Sequence, residues 1–270
     1  MVDSGFDGRH VVVTGGSSGI GLATAEAFGR LGARVSLVAR GQERLETAVD
    51  TLQRDGIGAT FRQADVADRS SLALAVRELV ATNGPCDILV ASAGICHPGY
   101  FHEMDHQVFR REMDVNYFGT LNAVRAVAPS MIEKHSGQIV GISSGAGLLG
   151  VFGYTAYTPT KFAVRGLMEC LRAEMVPHGV RVHCVFPADI ETPQLAFEKT
   201  IRPPETEAIT GIIKSLPPQR VAEAIIRGVR RDRFAIYTDT QTRFFAAFSG
   251  LASSPIHKTM DSRARKATRK

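Results

Sequence analysis

Residues 10–32 read HVVVTGGSSGIGLATAEAFGRLG. A β-branched run, His10 to Thr14, passes through a glycine cluster into an Ala-rich stretch, the order of a strand, a tight turn and a helix. Glycines in such a turn let backbone N–H groups approach a phosphate, and the start of a helix supplies partial positive charge. The spacing Gly15-x-x-x-Gly19-x-Gly21 departs from G-x-G-x-x-G, and a glycine cluster by itself is more often a plain turn. Its place between a strand and a helix makes it a nucleotide-type loop.

Working outward, RVSLVAR at 34–40, Thr60 to Gln63, and DILVASAG at 87–94 read as further strands separated by helical stretches. The order βαβαβαβ implies a parallel, doubly wound sheet with its ligand at the C-terminal ends of the strands. The fourth strand ends in small residues, Ala93 among them, which let the backbone approach a cofactor. A length of 270 residues, 44% apolar, with 26 Gly fits one α/β domain with a sizeable core.

The end of the second strand bears on cofactor choice. A pocket for NAD places an acidic side chain there to hold the ribose 2′-OH, where it repels a 2′-phosphate. Ala39 and Arg40 stand there instead, with Arg44 one turn into the next helix, and guanidinium groups hold phosphate through charged hydrogen bonds. NADPH is therefore expected over NADH. The plainer reading, charges solvating a helix start, fits Arg44 better than Arg40. At the third strand's end, the Asp65 carboxylate is placed to accept from an adenine amino group while Val66 packs the ring; an Asp before a helix is equally a plain N-cap.

Residues 138–161, QIVGISSGAGLLGVFGYTAYTPTK, carry the chemistry. An apolar strand ends in Ser143 and Ser144, and a helix then places Tyr157 and Lys161 four apart on one face. An unperturbed phenol has a pKa of about 10, and a fixed cation beside it favours phenolate. Ser144, thirteen residues before Tyr157, is placed to donate to an oxygen held at the phenol. Y-x-x-x-K alone is common on amphipathic helices; the serine pair and the glycine loop turn it into a carbonyl/alcohol site. The stretch from about Asp105 to Lys134 has helical period with Asn116 in its middle, a costly place for a residue that favours caps and turns. Its amide serves either the active site or a local kink.

VRVHCVFPADIETP (180–193) is another buried strand running into a Pro-rich segment, and about 188–217 reads as a mobile substrate lid. Pro218 to Arg230 reads as a helix and Arg233 to Thr238 as a strand. The expected organisation is a catalytic domain over 1–240 and an apolar/basic tail over 241–270. Phe244, Phe245, Phe248 and Leu251 form an apolar helical stripe there, followed by six Lys/Arg against Asp261, so residues 257–270 hold the whole net charge of +5 and residues 1–256 are formally neutral. The folded body is formally neutral, which argues against nucleic-acid binding. Apolar stripe plus basic run fits a peripheral membrane contact; packing on the cleft or on another subunit fits it as well.

Cys86, Cys96, Cys170 and Cys184 are widely spaced, without a C-x-x-C pair, so neither a zinc site nor a disulfide framework is expected. No apolar run approaches the ~18 residues of a membrane span, and the N-terminus lacks signal-peptide regions. A cytoplasmic protein with reduced, structural cysteines is expected.

With TGGSSGIG, the Asp65-Val66 pair, Asn116, Ser144 and YTPTK all in order, the chain resembles the short-chain dehydrogenase/reductase family along nearly its whole length. The resemblance implies a Rossmann-type fold, NAD(P) dependence and a catalytic tetrad of Asn116, Ser144, Tyr157 and Lys161. It also implies that Gly15, Ser17, Ser18, Gly19, Ile20 and Gly21 hold the pyrophosphate side, Asp65 and Val66 the adenine, and Ile190 with Thr192 the nicotinamide amide. No metal is required, and dimers or tetramers packed through the long central helices are implied. Two departures stand out: Ala91-Ser92-Ala93-Gly94 where the family has N-N-A-G, losing an Asn that bridges strands, and Pro187-Ala188 where it has P-G. The runs SLVAR, GLLGVFGYTAY, KFAVRGL and FPADIETP look like the subgroup of 3-ketodihydrosphingosine reductases, which implies NADPH-dependent reduction of a long-chain 3-keto sphingoid base. Another hydrophobic ketone, and a non-enzymatic NADPH-binding sensor, are the alternatives.

Overall fold

A computed structural model of the chain describes residues 5–211, 214–248 and 253–268, with the side chains of 248, 253–257 and 268 outside that description. The glycine loop joins β1 (His10–Thr14) to α1 (Gly19–Gly29). There follow β2 (Arg34–Ala39), α2 (Gln42–Arg54), β3 (Ala59–Gln63), α3 (Arg69–Asn83) and β4 (Ile88–Ala91). All pairings are parallel, in the order β3-β2-β1-β4 followed by β5 (Gly137–Ile142), β6 (Val180–Phe186) and β7 (Ala235–Tyr237). The order reverses between β1 and β4, and in such a sheet the ligand crevice opens there, beyond the strands' C-terminal ends.

The strands are short apolar runs because both sheet faces are covered. Val11 and Val13 pack with Phe28, Leu37 and Leu45 on one face, and Val12 with Leu72, Leu89 and Val124 on the other. Helix patterning matches. In α2, Leu45, Ala48, Val49 and Leu52 are buried, and in α3 Leu72, Ala75, Val76 and Leu79, each set one stripe at helical spacing.

The single helix expected over 105–134 is divided. α4 (His106–Glu112) and α5 (Gly119–Glu133) flank a π-helical segment, Met113–Phe118, that carries Asn116. A π-turn offsets the side chains around it and is frequent at functional sites; here it turns the Asn116 amide toward β4's exit. The strand junction that departs from the family pattern is tied by Thr14, whose carbonyl accepts from Ser92 N at 3.2 Å and whose hydroxyl accepts from Ala93 N at 3.4 Å.

β5 leads through a short 3₁₀ turn, Gly145–Gly147, to α6 (Tyr157–Met175), and α9 (Pro218–Arg230) packs on α1. The Pro-rich segment read as a mobile lid folds as two helices, α7 (Pro193–Ile201) and α8 (Pro204–Thr210), with its ends joined by a bridge between Ile190 and Leu216. α10 (Thr240–Phe248) and α11 (Ser253–Thr268) are helices, and α11 packs on α8. Phe244 is 59% exposed whereas Phe245 lines the cleft. Adjacent helical residues do not face the same way, so the stripe is split; Phe248's side chain and Leu251 lie outside the described residues. Among the described residues no helix is long and apolar enough to cross a membrane.

Candidate active site

One cleft of about 950 Å³ runs along the C-terminal ends of the strands. The glycine-loop residues Gly15, Ser17, Ser18, Gly19, Ile20 and Gly21 line it. So do Arg40, Arg44, Asp65, Val66 and Ala93 at the β2–β4 side, and Ile190 and Thr192 beyond β6. Ser144, Tyr157 and Lys161 form its floor, while Asn116 stands behind the wall and does not line it.

Each catalytic candidate is held by a nameable contact. Asn116 Nδ2 donates to the Ile95 carbonyl at 2.9 Å and to Thr160 Oγ1 at 2.9 Å, and its Oδ1 accepts from Ile95 N at 2.8 Å. That amide ties the β4 exit to α6, and with it the spacing of Lys161 from the cleft. The two serines are distinct. Ser143 Oγ is buried and donates to the Lys161 carbonyl at 2.9 Å, whereas Ser144 Oγ accepts from Ala146 N at 3.1 Å and reaches the Tyr157 hydroxyl.

Lys161 Nζ donates to the Ile142 carbonyl at 3.1 Å and lies 5.5 Å from the Tyr157 ring centroid. The expectation that Lys161 draws the phenol pKa down is corrected here. Burial pushes Tyr157 well above its ordinary value, helped by Cys96 and Glu198, and the Ser144 hydrogen bond offsets this only in part. Burial also lowers Lys161 to about 8. Desolvation disfavours the charged form of both groups, and among the described residues the ammonium donates to a backbone carbonyl rather than to the phenolic oxygen.

At the other end, Asp65 is not the N-cap of α3. Asp68 fills that place, accepting from Ser70 and Ser71 N. Asp65 Oδ1 accepts from Ala67 N at 3.0 Å and Oδ2 from Arg111 at 2.9 Å; against the upward push of burial these contacts, Arg111's first, hold its pKa below the ordinary carboxylate value.

Several residues at the site carry no motif. Glu112 is 1% exposed, and its Oε1 accepts from His97 N at 2.5 Å while Oε2 has no hydrogen-bond partner among the described residues. Burial raises its carboxyl to about 8. Tyr154, Glu198 and Arg202 form a buried cluster under α7, and Cys96 lines the cleft. The signals available were the doubled tyrosine of YTAY and the Glu198/Arg202 pair at i,i+4, which reads as a solvated ion pair until α7 is seen packed down. The four cysteines are free thiols; Cys170 is exposed, not structural as expected. Among the described residues no group of three or more His, Cys, Asp or Glu is placed to hold a metal ion.

A match to the short-chain dehydrogenase family model covers residues 9–201. The chain belongs to that family. As a short-chain dehydrogenase it is an oxidoreductase, and the same membership accounts for the seven-stranded sheet. It is 35% identical to a 3-ketodihydrosphingosine reductase of Dictyostelium discoideum over 90% of this chain and 78% of that one. It is 38% identical to the 3-ketodihydrosphingosine reductase of Bos taurus, covering 84% and 70% respectively. Among solved structures, an actinorhodin polyketide ketoreductase with NADPH aligns at 29% identity and a TM-score of 0.77, over 85% of this chain and 95% of that one. A short-chain dehydrogenase/reductase from Burkholderia phymatum in complex with NAD aligns at 25% and 0.83, covering 94% and 96%.

A nicotinamide cofactor is the group such a dehydrogenase must hold, and the glycine loop fits it. Gly15 has φ +67°, and a Cβ there would stand 2.8 Å from the Ala93 backbone. Gly19 has φ +55°, and a Cβ would stand 2.9 Å from Thr192 Cγ2. Side chains at either position would strain the turn and fill the cradle between β1, β4 and α7. The loop opens directly onto the first turn of α1, which has no acidic residue to repel a phosphate.

Proposed function

We propose that this short-chain dehydrogenase is an NADPH-dependent reductase of long-chain ketones, with a 3-keto sphingoid base as the substrate type. The observation that carries the reading is the single cleft that joins Arg40 and Arg44 at one end to Tyr157 at the other. Both guanidinium groups stand beside Ala39, where no acid opposes a 2′-phosphate. The pyrophosphate side falls to the glycine loop, the adenine to Val66 beside Asp65, and the nicotinamide amide to Ile190 and Thr192. The 3-ketodihydrosphingosine reductases among the relatives support the substrate type. So does the apolar lining beyond Tyr157, which includes Leu148, Leu149, Val151, Phe197 and Phe245.

Bound NADPH supplies the hydride that the carbonyl carbon takes up. Tyr157 gives its phenolic proton to the carbonyl oxygen as negative charge develops there; its raised pKa keeps that proton in place until then. Ser144 Oγ steadies the same oxygen by donating to it. Lys161 restores the phenol's proton and holds the cofactor ribose, and Asn116 positions the water that feeds Lys161 by fixing Ile95 against α6.

The exposed aromatic rings of Phe118 and Phe162 on the central helices support pairing of copies into dimers or tetramers. The exposed Phe244, with Arg265 and Lys266 exposed on α11, supports a reversible contact of the cleft's rim with an anionic membrane surface. The deciding assay follows NADPH consumption by the purified protein over a panel of ketones graded by chain length. Turnover that rises with chain length is expected, and cofactor binding without consumption of any ketone would overturn the reading.

A further inference from the structure

Behind the wall of the cleft, two side chains of the divided central helix grip the same piece of chain. Asn116, on the π-segment, binds both backbone groups of Ile95, and Glu112, at the end of α4, accepts from His97 N through Oε1 at 2.5 Å. Neither residue lines the cleft, whereas Gly94, Ile95 and Cys96 do. At Gly94 a Cβ would lie 3.3 Å from Asn116 Oδ1 and 3.5 Å from Lys161 Nζ. The amide oxygen and the ammonium therefore close on one point, which the glycine leaves open.

Holding His97 takes only one oxygen of Glu112, and a neutral amide would serve as well. The other oxygen is unexplained. Glu112 is 1% exposed, and its Oε2 has no hydrogen-bond partner among the described residues. An ionised carboxylate calls for donors at both oxygens, so this site keeps the carboxyl protonated, with its proton engaged to nothing nearby. α4 and the π-segment both pack on α6. The titratable groups that act on the carboxyl are Lys161 and Tyr157 from α6, Cys96 at the β4 exit and Glu198 from α7. Lys161 is the one among them that must be recharged in each turnover. Burial raises Glu112 to about 8 and lowers Lys161 to about 8, so a proton passes from one to the other with little change in free energy.

We propose that Glu112 is the proton reserve that recharges Lys161 between turnovers of the reductase. Once Tyr157 has protonated the alkoxide and taken a proton from Lys161, the Oε2 proton of Glu112 passes through the water that Asn116 positions to the Lys161 amine. One O–H bond breaks at the carboxyl and one N–H bond forms at Nζ; solvent then returns a proton to the carboxylate. This rests on the ketone-reductase reading. Glu112 touches neither substrate nor cofactor in it, and acts only through Lys161.

The test separates proton supply from the hydride step. Glu112→Gln keeps an acceptor for His97 N and has no proton to give, and Glu112→Met, which removes the carboxyl at similar volume, is measured beside it. NADPH titration checks folding. With NADPH and a long-chain ketone at pH 7, kcat is expected to fall at least tenfold while kcat/KM for the ketone stays within about twofold. The hydride step needs only the proton already on Tyr157, and kcat/KM reports no step after it. Ammonium chloride, set against sodium chloride at equal ionic strength, is expected to restore part of kcat by supplying a small acid through the cleft. An unchanged kcat in variants that bind NADPH normally would overturn the assignment. So would an equal fall in kcat and kcat/KM, which would leave Glu112 a clamp on His97. A wild type that consumes NADPH with no ketone would remove the reductase reading, and the proton reserve with it.

Discussion

The Lys161 ammonium stands over the ring of Tyr157, 5.5 Å from its centroid, with its own hydrogen bond given to the Ile142 carbonyl. The arrangement separates the tasks of the two residues: the phenol holds a proton firmly and the ammonium is the group that titrates.

A pH dependence follows. With Lys161 lowered by burial to about 8 and Tyr157 pushed well up, reduction should be flat on the acid side and fall as Lys161 loses its proton. The kcat/KM profile for ketone reduction should therefore bend downward near pH 8. Lys161→Arg, which cannot deprotonate in that range, should be slower and should lose the bend. Initial rates across the profile check this, and an identical bend in the variant would assign the titration elsewhere.

The proposed preference for NADPH rests on Arg40. Arg40→Asp removes a partner of the 2′-phosphate and adds a like charge, and a hydrogen bond to a charged group contributes about 1.5–3 kcal/mol. The ratio of NADPH to NADH affinity should fall roughly ten- to a hundredfold, measured by titration of each dinucleotide. An unchanged ratio would make Arg40 a solvated surface charge.

Glu112 makes stability depend on pH. Its carboxyl ionises near 4.3 in an unfolded chain and at about 8 in the folded one, because burial disfavours the carboxylate. Between those values the unfolded state has shed a proton that the native state keeps, so stability declines as pH rises through the window and levels off above it. Glu112→Gln keeps an acceptor for His97 N and has no proton to lose. Urea unfolding at about pH 5 and about pH 8 should show a smaller decline for the variant. Equal declines would show that Glu112 does not hold its proton.

Much of this was legible in the sequence because it depends on local chemistry. The glycine loop, the alternation of apolar runs, and Tyr157 with Lys161 are short-range patterns, and the fold follows from them with strand ends displaced by up to three residues. The division of the central helix was not legible: 105–134 keeps a helical period throughout, and only the extra residue in the turn around Asn116 shows the π-segment. Nor was the buried state of Glu198 and Arg202, whose i,i+4 spacing is the same whether a helix faces solvent or packs down on a cleft. The electrostatics at Tyr157 ran opposite to expectation for the same reason. Spacing brings Lys161 to the phenol, but burial, a property of the whole fold, decides which protons stay.

The central claim is that Tyr157 gives the proton. The most direct measurement is single-turnover reduction of a long-chain ketone by Tyr157→Phe with NADPH in excess, beside a titration of NADPH binding. The account predicts cofactor binding within a fewfold of wild type and a chemical step slowed by roughly a hundredfold or more, the usual contribution of a positioned general acid. A chemical step at close to the wild-type rate, with NADPH bound, would contradict it.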